Sequence, residues 1–245
     1  MFNEESVSNL TVQLAYGTLA TLTLWAVSAI LSIALALILV YAVANPRPMV
    51  RWCGLVVVNL TRGIPTSVLV IAAGMLAMRM GAFIPVPSIF TGTIGGFQHI
   101  AWAIVAALAF GSAGHLAMIF HAAYCALGQA RRDQLAILGC RPWQKAVIVL
   151  REVMTVVLPS TGARLIHHLH NTAFASLFPV TELFGLIRGQ SDATAKVFLF
   201  TSIGCLVYAV LSFVIWLLFR GLEAFFAPPQ RAVQIVPGQT SLQTS

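Results

Sequence analysis

Arg164, His167, His168, His170 and Asn171 crowd one short stretch of an otherwise apolar segment. Arg164, His167, His168 and Asn171 are related by steps of three and four residues, so a helix carries them on one face. Arginine can hold a carboxylate, and histidine and asparagine exchange hydrogen bonds with polar groups. Inside a membrane such a face belongs toward the bundle interior or a watery cavity. These four residues are therefore candidates for a solute path. Two other readings of the face stand beside that one. Histidine is a common metal ligand, although acids and thiols do not accompany it here. Buried histidines can also be satisfied across helices without touching any solute.

A second candidate is Arg62, within Thr61-Arg62-Gly63-Ile64-Pro65. A charge inside an apolar run is costly and marks a functional position by default. Gly63 and Pro65 would loosen the helix and free backbone carbonyls, which points to a gating or structural role. The alternative is a snorkelling arginine that reaches the membrane surface.

The third feature is a polar island, 126–151, holding Arg131, Arg132, Asp133, Arg141, Lys145 and Arg151. Within it, 133–139 is a short amphipathic stretch whose Gly139 is a helix stop. Such a helix between spans offers a grip to a soluble partner. Arg131, Arg132 and Asp133 would supply the charges, and Leu138 belongs to the same stretch.

The elements that must hold these residues are membrane spans. Only 9% of the 245 residues are charged and 59% are hydrophobic, where soluble domains carry about 25% charged residues. The chain reads as an all-α integral membrane protein with no room for a soluble domain. Apolar runs place about five spans near 12–44, 50–78, 100–123, 154–180 and 197–219. Gly81 to Gly96 reads as a Gly- and Pro-rich loop, and 228–245 as a polar tail expected to be disordered. The start carries Glu4 and Glu5 and no basic residue before Arg47, unlike a cleaved signal peptide, so the first run is expected to stay as a span.

Net charge is +7, yet its placement follows the membrane rather than a nucleic acid. With the N-terminus outside, Arg47, Arg51, Arg131, Arg132, Arg141, Lys145, Arg151, Arg220 and Arg231 fall inside the cell. Arg79, Arg188 and Lys196 fall outside. That asymmetry obeys the positive-inside rule. No basic run with interleaved aromatics accompanies it, which argues against nucleic-acid binding. Cys53, Cys125, Cys140 and Cys205 have neither metal nor redox spacing and read as small apolar packing residues.

The island resembles the coupling loop of bacterial ABC importer permeases, whose signature is Glu-Ala-Ala, three residues, then Gly. Asp133 stands at the Glu and Gly139 at the Gly, with Gln134 and Leu135 at the alanines. In the same register, Leu158-Pro159 and Thr172-Ala173-Phe174-Ala175-Ser176 are similar to the family's Leu-Pro and Thr-Ser-Leu-Ala-Ser. Val180-Thr181-Glu182-Leu183 resembles Val-Pro-Glu-Leu, and Arg62-Gly63-Ile64-Pro65 resembles Arg-Gly-Thr-Pro. The likeness is to the polar-amino-acid branch, the histidine, arginine and glutamine type, from roughly Thr18 to Leu183.

The resemblance implies a type I importer permease, with residues 1–245 forming one transmembrane domain of a bacterial inner-membrane protein. It implies a cytoplasmic ABC ATPase that binds the ATP, a second permease subunit in a heterodimer, and a periplasmic solute-binding protein. The cargo would be a polar amino acid or related small solute, moved by alternating access. The chain has no Gly-rich phosphate loop, so it is neither the ATPase nor, on this reading, an enzyme, and it needs no cofactor or metal of its own. Departures from the family lie at Met118, His121, Arg151, His170 and Asn171, where the family usually has Glu, Arg, Pro, Lys and Asp. A different class of function, a structural membrane subunit of a protein-export or assembly complex, remains the alternative. No internal repeat supports an inverted-repeat carrier, and no nucleophile-base pair supports an intramembrane enzyme.

Overall fold

A computed structural model describes residues 4–80, 98–128, 134, 137 and 141–227. Its elements are α1 (Glu4–Val43), α2 (Pro48–Gly63), α3 (Thr66–Met80), α4 (Gln98–Ala126), α5 (Pro142–Asn171), a 3-10 turn (Thr172–Leu177), α6 (Leu183–Thr194) and α7 (Val197–Phe226). Among the described residues there is no strand. The expectation of an all-α membrane protein holds.

α1 is uncharged beyond its first residues and runs unbroken until Asn45-Pro46-Arg47-Pro48. There the Asn45 side chain accepts a hydrogen bond from the Arg47 backbone at 3.0 Å, and Pro48 opens α2 at a position where its missing N–H costs nothing. The segment 50–78 is not one straight span. α2 and α3 meet at 94° across Gly63-Ile64-Pro65. Proline forces its predecessor out of the helical region, and Ile64 is extended accordingly, at φ −92° and ψ 125°.

α4 is the central helix, packed by α1, α2, α3 and α5. Its Ile104, Val105 and Leu108 meet Leu24, Val70, Ala175 and Val180 in one buried cluster. Ala113, Leu116 and Ala117 meet Ala36, Leu39 and Val58 in a second. Close approach comes from small residues, as expected where lipid removes the hydrophobic drive between helices. Thr61 packs directly on Gly114. A Cβ at Gly111 would lie 3.0 Å from Thr66. The broken α2–α3 pair therefore straddles the three-residue step from Gly111 to Gly114 of α4.

Among the described residues three helices, α1, α4 and α7, are long and apolar enough to cross a membrane, and the bent α2–α3 pair makes a fourth if it counts as one span. α5 carries Arg151, Glu152, Arg164 and three histidines and is not among these helices. Its 30 residues still give about 45 Å of helix, enough to run beside the others. α5 begins before the expected 154 and tightens to 3-10 at Thr172. The Thr172 and Ser176 hydroxyls donate back to Leu169 and Ala173 carbonyls, both at 2.7 Å, which competes with regular helix. α7 extends past the expected 219 to Phe226, and most of its large apolar side chains are exposed, as a lipid-facing helix requires. Arg131, Arg132, Asp133, Leu138 and Gly139, like the loop expected at Gly81–Gly96 and the tail 228–245, lie outside the described residues. Within the island Gln134 and Ile137 are helical, and Ile137 is 84% exposed.

Candidate functional site

The site is built on the Gly111-Ser112-Ala113-Gly114-His115 step of α4. Gly111 and Gly114 leave room for neighbouring helices, and each neighbour brings a polar side chain. From α5, Arg164 donates through Nη2 to the Gly111 carbonyl at 3.1 Å and to Ser112 Oγ at 3.3 Å. Ser112 Oγ lies 2.7 Å from His168 Nδ1. His168 Nε2 lies 2.7 Å from Ser28 Oγ of α1, and Ser28 donates to the Leu24 carbonyl at 2.7 Å. With the ring proton on Nε2, every group in this chain finds its complement: Arg164 to Ser112, Ser112 to His168, His168 to Ser28, Ser28 to the backbone. His168 is fully buried. It is the pin through α1, α4 and α5. Trp25 reinforces it by donating from Nε1 to the Leu165 carbonyl at 2.9 Å.

The expected polar face of α5 thus divides. His168 and Asn171 are buried, Arg164 is half-buried and His167 is exposed. His170 reaches the other way, with Nε2 2.9 Å from Ser212 Oγ of α7 and its ring edge-on to Tyr208. Arg62, Gly63 and Pro65 are exposed at the α2–α3 break. Arg62 and His115 directly follow the packed pair Thr61 and Gly114 on their helices. His115 lies within electrostatic reach of Arg164, Arg62 and His167. No cluster of three or more His, Cys, Asp or Glu suited to a metal exists among the described residues.

A second tie surrounds Glu182. Its carboxylate accepts from the Thr21 hydroxyl at 3.2 Å, the Tyr208 hydroxyl at 3.1 Å, Phe184 N at 2.9 Å and Gly185 N at 2.7 Å. Thr21 Oγ1 in turn accepts from Leu183 N at 3.0 Å. Glu182 is the N-cap of α6, and it joins that helix to α1 and α7. Burial pushes its carboxyl up from the ordinary carboxylate range, while the donors pull it back.

Sequence reasoning missed Ser28, Ser112, Gly111, Gly114 and the tying role of Glu182. The signal was present: serines inside uncharged runs seek partners across helices, and Gly-Ser-Ala-Gly marks a close approach. Replacing His168 by Leu should leave the buried Ser112 donor without an acceptor, at about 1–3 kcal/mol. Thermal unfolding of the purified chain should show that loss, with His168→Asn recovering part of it. An unchanged midpoint in His168→Leu would contradict the pin.

A family model described as "Binding-protein-dependent transport system inner membrane component" matches residues 32–228. Among solved structures, the chain is similar to an amino acid ABC transporter crystallised with histidines, at 18% identity and a TM-score of 0.72, covering 92% of this chain and 99% of that one. It is also similar to the inward-facing MetNI methionine ABC transporter, at 16% identity and a TM-score of 0.68, covering 90% and 99%. No curated protein sequence matches.

Proposed function

The chain belongs to the binding-protein-dependent transport system inner membrane components, and from that premise we propose that it moves a polar amino acid or related small solute by ATP-driven alternating access. As a family member it is a multi-pass inner-membrane permease component rather than an enzyme. The alternative of an export or assembly subunit loses its ground. The observation that supports the finer reading is the polar surface around the α4 glycine step, where Arg164 of α5 bonds Gly111 and Ser112 and lies within electrostatic reach of His115. A solute needs such a surface, and lipid does not tolerate it.

On this reading, Arg164 and His167 face the solute, while His168 holds the wall in shape from within and Asn171 lies buried behind it. Arg62, Gly63 and Pro65 form the flexible corner at the subunit interface. Arg131, Arg132, Asp133, Leu138 and Gly139 couple the permease to a cytoplasmic ATPase. The exposed, helical Ile137 supports this, since it offers an apolar anchor between those charges. ATP is bound by that ATPase, a second and non-identical permease subunit completes the path, and a periplasmic binding protein delivers the solute. The N-terminus lies outside.

Mild solubilisation and affinity purification of the full chain, with partners identified by mass, tests the assembly. An ATPase, a second permease and a periplasmic protein are expected. Purification of the chain alone, or with one kind of permease only, would overturn the corresponding part. In a Cys-free background, Val197→Cys should react with an impermeant thiol reagent from outside, and Gln129→Cys only from inside. The reverse pattern would invert the orientation.

A further inference from the structure

The polar surface at the α4 step is not evenly mixed. Arg62 and Arg164 are cations, His115 and His167 can donate, and His115 lies within electrostatic reach of the other three, which come from two neighbouring helices. Thr61 on Gly114 and the Arg164 bonds to Gly111 and Ser112 fix that meeting point geometrically. No carboxylate among the described residues answers them. The acids Asp192 and Glu223 pair instead with Arg188 and Arg220, away from this place. Glu182 is committed to its own four donors. Arg164 touches only neutral acceptors, and its Nε is buried with no partner. A half-buried guanidinium such as Arg164 without a counter-charge is unfavourable in a bilayer. An arriving anion would supply the missing charge, and guanidinium matches a planar or tetrahedral oxyanion through paired hydrogen bonds.

We propose that Arg62, His115, Arg164 and His167 form a binding site for an anionic group on the transported solute, a carboxylate or a phosphonate. The inference deepens the permease reading and rests on it. A solute with a cationic side chain is selected against, because each added positive charge meets the same uncompensated cluster. An acidic solute brings one oxyanion to Arg164 and can offer another to Arg62. Ser112, itself bonded to His168, holds Arg164 from behind through Nη2.

The test is equilibrium binding to the full chain in nanodiscs, with the co-purified ATPase and second permease retained and the binding protein washed away. The probes are L-glutamate, methylphosphonate and L-arginine. At least one acidic probe should bind, with arginine at least tenfold weaker. Glutamate against methylphosphonate distinguishes the two oxyanions. Arg164→Gln should weaken the acidic probe tenfold or more, and binding should fall as salt rises. Arg62→Gln, which disturbs no helix contact, gives the same reading should Arg164→Gln fail to fold. Arginine binding as tightly as the acidic probes would overturn the proposal. So would no binding of either acidic probe, or wild-type affinity in both variants. ATPase retention is scored separately: its loss from the wild-type preparation would count against the permease reading, while the probe comparison still decides the site.

Discussion

Glu182→Ala should lower the unfolding midpoint of the purified chain by on the order of 10 °C. Four donors from three parts of the fold converge on this carboxylate, and Glu182 is only 1% exposed, so water cannot replace it freely. Unmaking a hydrogen bond to a charged group costs about 1.5–3 kcal/mol, but such losses are not additive when neighbours relax. A net loss of about 3–5 kcal/mol is the reasonable sum for breaking a buried charge network. For a chain of this size that is roughly 2–4 °C per kcal/mol. Tyr208→Phe removes one donor and leaves the rest, so its loss should be several-fold smaller. Glu182→Gln keeps acceptor capacity and should fall between. A Glu182→Ala chain as stable as the parent would mean that α6 is held by its apolar contacts alone, Leu183 and Ile187 against Phe200.

Gly114→Val should be almost as damaging, and for a different reason. A Cβ there would run into Thr61 Oγ1 and come within 2.9 Å of the Val58 carbonyl. Thr61 is buried and its hydroxyl is tied to that same carbonyl at 2.9 Å, so neither can step aside. Overpacking of this kind costs about 1–3 kcal/mol or more. It would also lift α2 off α4 and carry Arg62 away from His115, so transport should fall further than stability does. Gly63→Ala provides the contrast. Nothing lies within 4 Å of a Cβ at Gly63, and its midpoint should be unchanged. Thermal unfolding and uptake measured on the same two variants would separate the packing from the path. Equal behaviour of Gly114→Val and Gly63→Ala would refute the tight crossing.

Of the five expected spans, those of α1, α4 and α7 were legible because hydropathy is a property of each segment alone. The run 50–78 is bent, and 154–180 lies mostly in a helix too polar to count with them. α4 differs from its expected bounds by only a few residues at either end. The corner at Gly63-Ile64-Pro65 was visible as a loosening, since Pro65 acts on its immediate predecessor. The 94° bend was not, because it depends on where Thr61 and Thr66 land on the glycines of a distant helix. Helical spacing likewise put Arg164, His168 and Asn171 on one face. It could not say which of them would be consumed by neighbours, and Ser28 and Ser112 take both nitrogens of His168. α6 went unread: twelve residues with Arg188 and Asp192 carry too weak a pattern. Its start depends on a cap, Glu182, whose Thr21 and Tyr208 partners come from the two ends of the chain.

Everything functional rests on the chain being driven by a separate ATPase through the island between α4 and α5. Asp133 is the only acid between Glu5 and Glu152. A charge-assisted contact at that position is worth about 1.5–3 kcal/mol, a tenfold or greater change in an equilibrium. The decisive measurement is the ratio of ATPase to permease, and the ATP hydrolysed, in complexes purified side by side from the parent chain and from Asp133→Arg. The parent should bring the ATPase with it at a fixed ratio. Asp133→Arg should insert normally into the membrane yet retain a tenth or less of the ATPase or of its coupled hydrolysis. An ATPase that never accompanies the parent chain, or equal retention and hydrolysis in the variant, would contradict the account.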